Sequence, residues 1–112
     1  VTFTGLLGSW IATVAATDCT TGAGTANQTI SRSLLTYWSG TATDMTGLLT
    51  VSTPGQLTAA DAVSLRTSHT AYSATALILG SGTLSWRPTL SVSIPTSAVA
   101  GMYSCVLTHS VA

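Results

Sequence analysis

The chain has 112 residues, enough for one domain with a core of its own, and residues 1–112 read as a single unit. Charged residues make up only 5% of it, against about 25% in an average soluble domain, and there is no Lys and no Glu. A net charge of zero excludes charge-driven recognition of nucleic acid or of an anionic membrane surface.

About a third of the residues are Ser or Thr. The surface must therefore be built of hydroxyls, which hydrate without repelling one another, so nothing opposes the close approach of a second molecule. Mean hydropathy is +0.50, yet no apolar run approaches the roughly 18 residues of a membrane span. The longest, residues 74–79, is interrupted by Thr75 and belongs to a strand, so no membrane insertion is expected.

Taken in chain order, residues 1–4 read as a short strand. Residues 9–17 form a stronger one, with Trp10, Ala12, Val14 and Ala16 on a single face. Turn-forming residues follow at 21–24, and Asn27-Gln28-Thr29 is a glycosylation-type tripeptide in a loop. Residues 30–38 are a further strand, ending in the aromatic pair Tyr37-Trp38 beside Ser39-Gly40. With Trp10 these aromatics are candidates for an interface anchor or a sugar-stacking platform, against the alternative of a strand end packed into the core.

Residues 48–52 give a short strand, closed by Pro54-Gly55. Only residues 56–65 carry a helix-like pattern, with Thr58 placed to cap one turn through Ala59, Ala60 and Asp61. Residues 72–79 are apolar on both faces and predict a central strand. After Gly80 to Gly82 comes the clearest segment, 83–95. Leu84, Trp86, Pro88, Leu90, Val92 and Ile94 alternate strictly with hydroxyls and Arg87, the mark of a strand with one buried face. Pro88 cannot donate to a ladder, so a bulge, bend or edge is expected there. Residues 101–111 close the chain, with Tyr103, Cys105, Leu107, His109 and Val111 on one face. Strands of this length and spacing predict an all-β, antiparallel, immunoglobulin-like β-sandwich of about seven to eight strands.

Two cysteines, Cys19 and Cys105, read as one disulfide of an extracytosolic protein. The alternatives are two buried thiols or a redox site, for which there is no Cys-x-x-Cys. The run Tyr103-Ser104-Cys105 also matches the pattern of a tyrosine corner, in which a Tyr two residues before a Cys bonds back to upstream backbone. Catalytic candidates are few. Asp18, His109 and a nearby Ser are the raw material of a triad, but no Gly-x-Ser-x-Gly elbow is present. Asp18 reads better as a turn residue bonding its own backbone, and His109 as a structural hydrogen-bonding residue. No His, Cys or carboxylate spacing matches a metal site, and no cofactor motif is present.

Three stretches resemble the WxL-like secreted and cell-surface proteins of Gram-positive bacteria. They are Trp10-Ile11-Ala12-Thr13-Val14 with Thr17-Asp18-Cys19-Thr20-Thr21-Gly22; Trp86-Arg87-Pro88-Thr89-Leu90-Ser91-Val92-Ser93-Ile94-Pro95; and Ala100-Gly101-Met102-Tyr103 with Leu107-Thr108-His109-Ser110-Val111. The resemblance implies an exported β-sandwich of the kind that attaches non-covalently to the cell wall. Cys19 and Cys105 stand where such proteins carry an aromatic and a small polar residue, which fits a bridge added here. Similar proteins also carry β-sequence before the point matching Val1. The resemblance therefore implies a sandwich short of a strand, whose open edge is filled either by a neighbour's segment, which generates a filament if the head-to-tail insertion does not close, or by the chain's own first strand in a compact monomer. The candidate inserted strand is the apolar segment 1–7, with Val1, Phe3, Leu6 and Leu7.

The expectation is a secreted, non-enzymatic structural protein that self-associates as a homo-oligomer or homopolymer in an extracellular or cell-surface assembly. The alternative is a module binding cell-wall glycan through Tyr37, Trp38 or Trp10.

Overall fold

A computed structural model describes residues 1–5, 8–47, 51–76 and 82–112. Its strands are β1 (Thr2–Gly5), β2 (Gly8–Ala16), β3 (Cys19–Thr20), β4 (Thr29–Ile30), β5 (Leu35–Trp38), β6 (Ala42–Gly47), β7 (Val51–Pro54), β8 (Val63–Ser64), β9 (His69–Ala76), β10 (Gly82–Trp86), β11 (Thr89–Val92) and β12 (Leu107–Val111). All pairings between them are antiparallel, so the fold is all-β as the alternation predicts.

One layer is a four-stranded sheet in the order β12-β2-β9-β7. The other is made of two three-stranded sheets, β1-β10-β6 and β11-β5-β8. These two share one long ladder that is interrupted once. Trp86 pairs with Ala42 on one side of the interruption and Thr89 with Trp38 on the other, and Arg87-Pro88 faces Ser39-Gly40 across the gap. Pro88 supplies no N–H there, and Gly40 takes φ of 70°, a left-handed value that glycine adopts without strain. The strand expected over 83–95 is therefore broken in two at Pro88, with a register shift between Ser85 and Trp86 just before the break and an edge strand, β11, just after it. A two-piece layer laid along a single sheet gives a long body, 53 × 26 × 20 Å.

The core lies between the layers. From β2 it takes Trp10, Ala12, Val14 and Ala16, the face that period-2 alternation assigns. From β9 it takes Ala71, Tyr72 and Ala74. Adjacent residues normally point to opposite faces, but Ala71 and Tyr72 are both buried because a bulge opposite Ala12 and Thr13 lets β9 turn two side chains inward. Leu35, Tyr37, Leu84 and Trp86 come from the opposite layer.

Strand β9 is flanked on both sides, as its apolar character predicts. Its continuation to residue 79 and the start expected at residue 48 lie outside the described residues. The helical turn expected after Thr58 is a 3₁₀ turn, Ala59–Asp61. Thr58 is its N-cap, and the Asp61 carboxylate accepts from the Thr58 N–H in a capping box. Gly55 is required by packing, since a Cβ there would collide with the Thr70 carbonyl oxygen.

Sequence alone does not find β6. Thr43 to Thr46 are all exposed, so this edge strand has no buried face to print an alternation. The strand expected over 30–38 is split by a 3₁₀ turn, Arg32–Leu34, and the Asp18 carboxylate accepts the Arg32 N–H at 2.9 Å. Asp18 thus pins a segment 14 residues away and does not bond its own turn. The last strand is shorter than expected, β12 beginning at Leu107; Ser104 makes only an isolated bridge to Thr20. The outer faces are laced with hydroxyl pairs, Thr2 to Ser85 at 2.7 Å and Ser9 to Thr75 at 3.3 Å.

Candidate functional site: the open side of the sandwich

The Cys19–Cys105 disulfide is present and fastens the stretch before β12 to β3, the short strand that follows β2 and pairs with β4. Beside it, the Tyr103 hydroxyl donates to the Val99 carbonyl at 2.7 Å, the corner bond that the Tyr-x-Cys spacing predicts.

Across the core runs a chain of three side chains from three strands. Trp86 Nε1–H donates to the Tyr37 hydroxyl at 3.1 Å, and the Tyr37 hydroxyl lies 2.9 Å from His109 Nε2. With its oxygen accepting from Trp86, Tyr37 can donate its own proton to Nε2 when the His109 proton sits on Nδ1. The ring of Trp86 meets His109 edge-on at 5.9 Å between centroids, and Tyr72 lies 5.2 Å from Trp86.

Burial holds the His109 pKa below its ordinary value, with a smaller push in the same direction from the Val1 ammonium. Burial likewise raises the Tyr37 hydroxyl, partly offset by the bond from Trp86. Because the folded His109 resists protonation more than the unfolded one, its contribution is intact above the unfolded value of about 6.5 and is lost as pH falls below it through the lower folded value. Thermal melts from pH 8 to pH 4 are expected to show a drop in Tm beginning near pH 6.5, and the substitution His109→Gln is expected to flatten that limb. An unchanged limb in the variant would show that His109 is not the group responsible.

The residues singled out as stacking or anchoring aromatics are not gathered on a surface. Trp10 and Tyr37 are buried in the core, so neither offers a ring face to a sugar; of the three, Trp38 alone is partly exposed. Asp18 and His109 are engaged separately, on the Arg32 N–H and the Tyr37 hydroxyl, and form no dyad. Of the candidate inserted strand, Val1 and Phe3 belong to a segment already paired at home: Thr2–Gly5 runs antiparallel to β10, and Val1 exchanges two backbone bonds with Trp86. Leu6 and Leu7 lie outside the described residues. Among the described residues there is no enclosed cavity, no group of three or more potential metal ligands, and no helix long and apolar enough to cross a membrane.

No protein-family model, no curated protein and no solved structure matches this chain.

The feature that stands out is one long side of the sandwich, between β11 and β12. Leu90 and Val92 of β11 pair with Tyr37 and Leu35, which are fully buried, so all four side chains share the core-facing surface. Leu107 and Val111 of β12 pair with Ala16 and Ala12, again on the core-facing surface. Yet Leu90 is 40% exposed, Val92 45%, Leu107 37% and Val111 38%. These residues face the core but lack a cover.

The backbone tells the same story. Ile11 and Ala112 exchange both their bonds at 3.1 Å, so the even residues of β12 bond to β2 while the N–H and C=O groups of Leu107, His109 and Val111 point out of the sheet. Ser93 donates to Leu34, so on β11 the outward groups are those of Leu90 and Val92. Alternation in the sequence reveals which way such residues face; it holds no signal for whether another strand lies over them.

Proposed function

We propose that this protein is a secreted, non-enzymatic structural protein that self-associates outside the cell, through the open side of its sandwich. The observation that carries this reading is the row Leu90, Val92, Leu107 and Val111, core-facing yet about two-fifths exposed, on two strands that stand at sheet edges among the described residues. Leaving that much of four aliphatic side chains wet forgoes roughly 3 kcal/mol per copy, which association recovers. The disulfide supports an oxidising, extracytosolic setting, since thiols in a cytosol are held reduced. The uncharged, hydroxyl-rich exterior supports close packing of copies. The likeness to WxL-like surface proteins agrees with export, and a cell-surface location belongs to the same proposal. Wall-glycan binding is the weaker reading, because two of its three aromatics are in the core.

Light scattering at micromolar concentration, with negative-stain imaging of the same sample, tests this. The expected mass is a multiple of 11.3 kDa that declines on dilution. Leu107→Asp, which places a charge on the open side, is expected to raise the dissociation constant at least ten-fold. A monomer at every concentration would overturn the proposal.

A further inference from the structure

Resting on that reading, we infer that the partner on the open side is a second copy of this chain, joined by two-fold antiparallel pairing of β12 with β12 about His109. Three observations converge on this arrangement.

The first is the register. In β12 the outward-pointing backbone groups are those of Leu107, His109 and Val111. Antiparallel pairing centred on His109 sets each of these against another outward residue: Leu107 against Val111 of the second copy, and His109 against its own equivalent. The pattern apolar, hydroxyl, His, hydroxyl, apolar reads the same in both directions. Thr108 then meets Ser110, and every polar or apolar position finds its like.

The second is charge. β12 carries no Asp, Glu, Lys or Arg, and its His109 is partly buried against Tyr37, which favours the neutral ring, so two copies of the strand meet without fixed like charges. Three other edges carry a guard. Pro88 precedes β11 at an outward position, β7 ends in Pro54, and β6 carries Asp44. β12 has no proline, no charge and no bulge.

The third is extent. Five paired residues span only about 17 Å of edge, whereas a stable interface takes about 800 Å² from each partner. The pairing therefore closes both open sides at once, bringing Leu90 and Val92 of each copy toward Leu107 and Val111 of the other. Such an interface is isologous and closes on itself, so its product is a discrete dimer and not an open filament.

Thr108 and Ser110 are exposed and lie outside the core-facing row, so cysteines there leave the packing intact. In the inferred register they form a non-hydrogen-bonded pair across the two-fold axis, the closer of the two cross-strand spacings and within disulfide reach. Thr108→Cys and Ser110→Cys proteins, each folded with its Cys19–Cys105 bond intact, are mixed under mild oxidant. The expected result is a crosslinked dimer at least ten-fold more abundant in the mixture than in either variant alone, with residues 108 and 110 joined in its peptide map. If light scattering shows association but the mixture has no such preference, the β12 register is wrong and the proposal of self-association stands. If the protein is monomeric throughout, both fall.

Discussion

Removing the Cys19–Cys105 bond, as in the double substitution Cys19→Ala with Cys105→Ala, is expected to lower Tm by about 15–20 °C. The two residues are 86 apart in sequence, so the bond closes most of the chain into one loop. In the chain-entropy account a loop of that length is worth about 4.5 kcal/mol. Total stability for a domain of this kind is about 5–15 kcal/mol, so the bond is a large share of it. Its position adds a local effect. It fastens the long connection between β11 and β12, whose other ties include the Thr20–Ser104 bridge, the two bonds between Val106 and Thr17, the bond from the Val99 N–H to the Asn27 carbonyl and the Tyr103 corner. Paired melts of the native and double-alanine proteins, followed by circular dichroism, measure the effect. A drop of under about 5 °C would mean that the β2–β12 ladder alone holds the last strand.

Trp86→Ala is expected to cost about 3–5 kcal/mol, the range for deleting a fully buried large aromatic. Trp86 has no solvent exposure, packs against Tyr72 and His109, and donates to Tyr37. Its loss empties the centre of the sandwich and removes one link of the hydrogen-bond chain. Tyr37→Phe separates the two contributions. It keeps the ring volume but leaves Trp86 Nε1–H and His109 Nε2 without their partner, at about 1–3 kcal/mol for each stranded group. Urea unfolding of both variants gives the comparison. A Tyr37→Phe cost near zero would show that the three side chains matter as packing and not as a polar chain.

Much of this architecture is legible in the sequence wherever a strand is covered on one face. Trp10, Ala12, Val14 and Ala16 alternate because the four-stranded sheet buries one side of β2, and the structure puts all four in the core. The capped turn at Thr58 is legible because a capping box is a local device. What fails is information that lives between strands. Leu90 and Val92 print the same alternation as Leu84, yet Leu84 is fully buried and the other two are not. The difference is that β10 has neighbours on both sides while β11 has one, and periodicity does not record neighbours. Tyr37 and Trp38 illustrate a second limit. An aromatic pair at a strand end is equally suited to a surface platform and to a core, and packing against the opposite layer, where Tyr37 meets His109 of β12, decides for the core in its case. The Trp86–Tyr37–His109 chain joins residues up to 72 positions apart, so only the assembled layers bring it together.

The hydroxyl pairs on the outer faces have a consequence for solution behaviour. Thr2 with Ser85 and Ser9 with Thr75 satisfy one another across strands as dipoles rather than ions, and three Asp and three Arg are all that the chain offers to a screening atmosphere. Dissolved salt weakens interactions between exposed charges over a Debye length of about 8–10 Å at ordinary ionic strength. An exterior with so few charges gives it little to act on. The molecule should keep its stability and its contacts from dilute buffer to brine, a property in keeping with the proposed role outside a cell, where the medium changes around the protein.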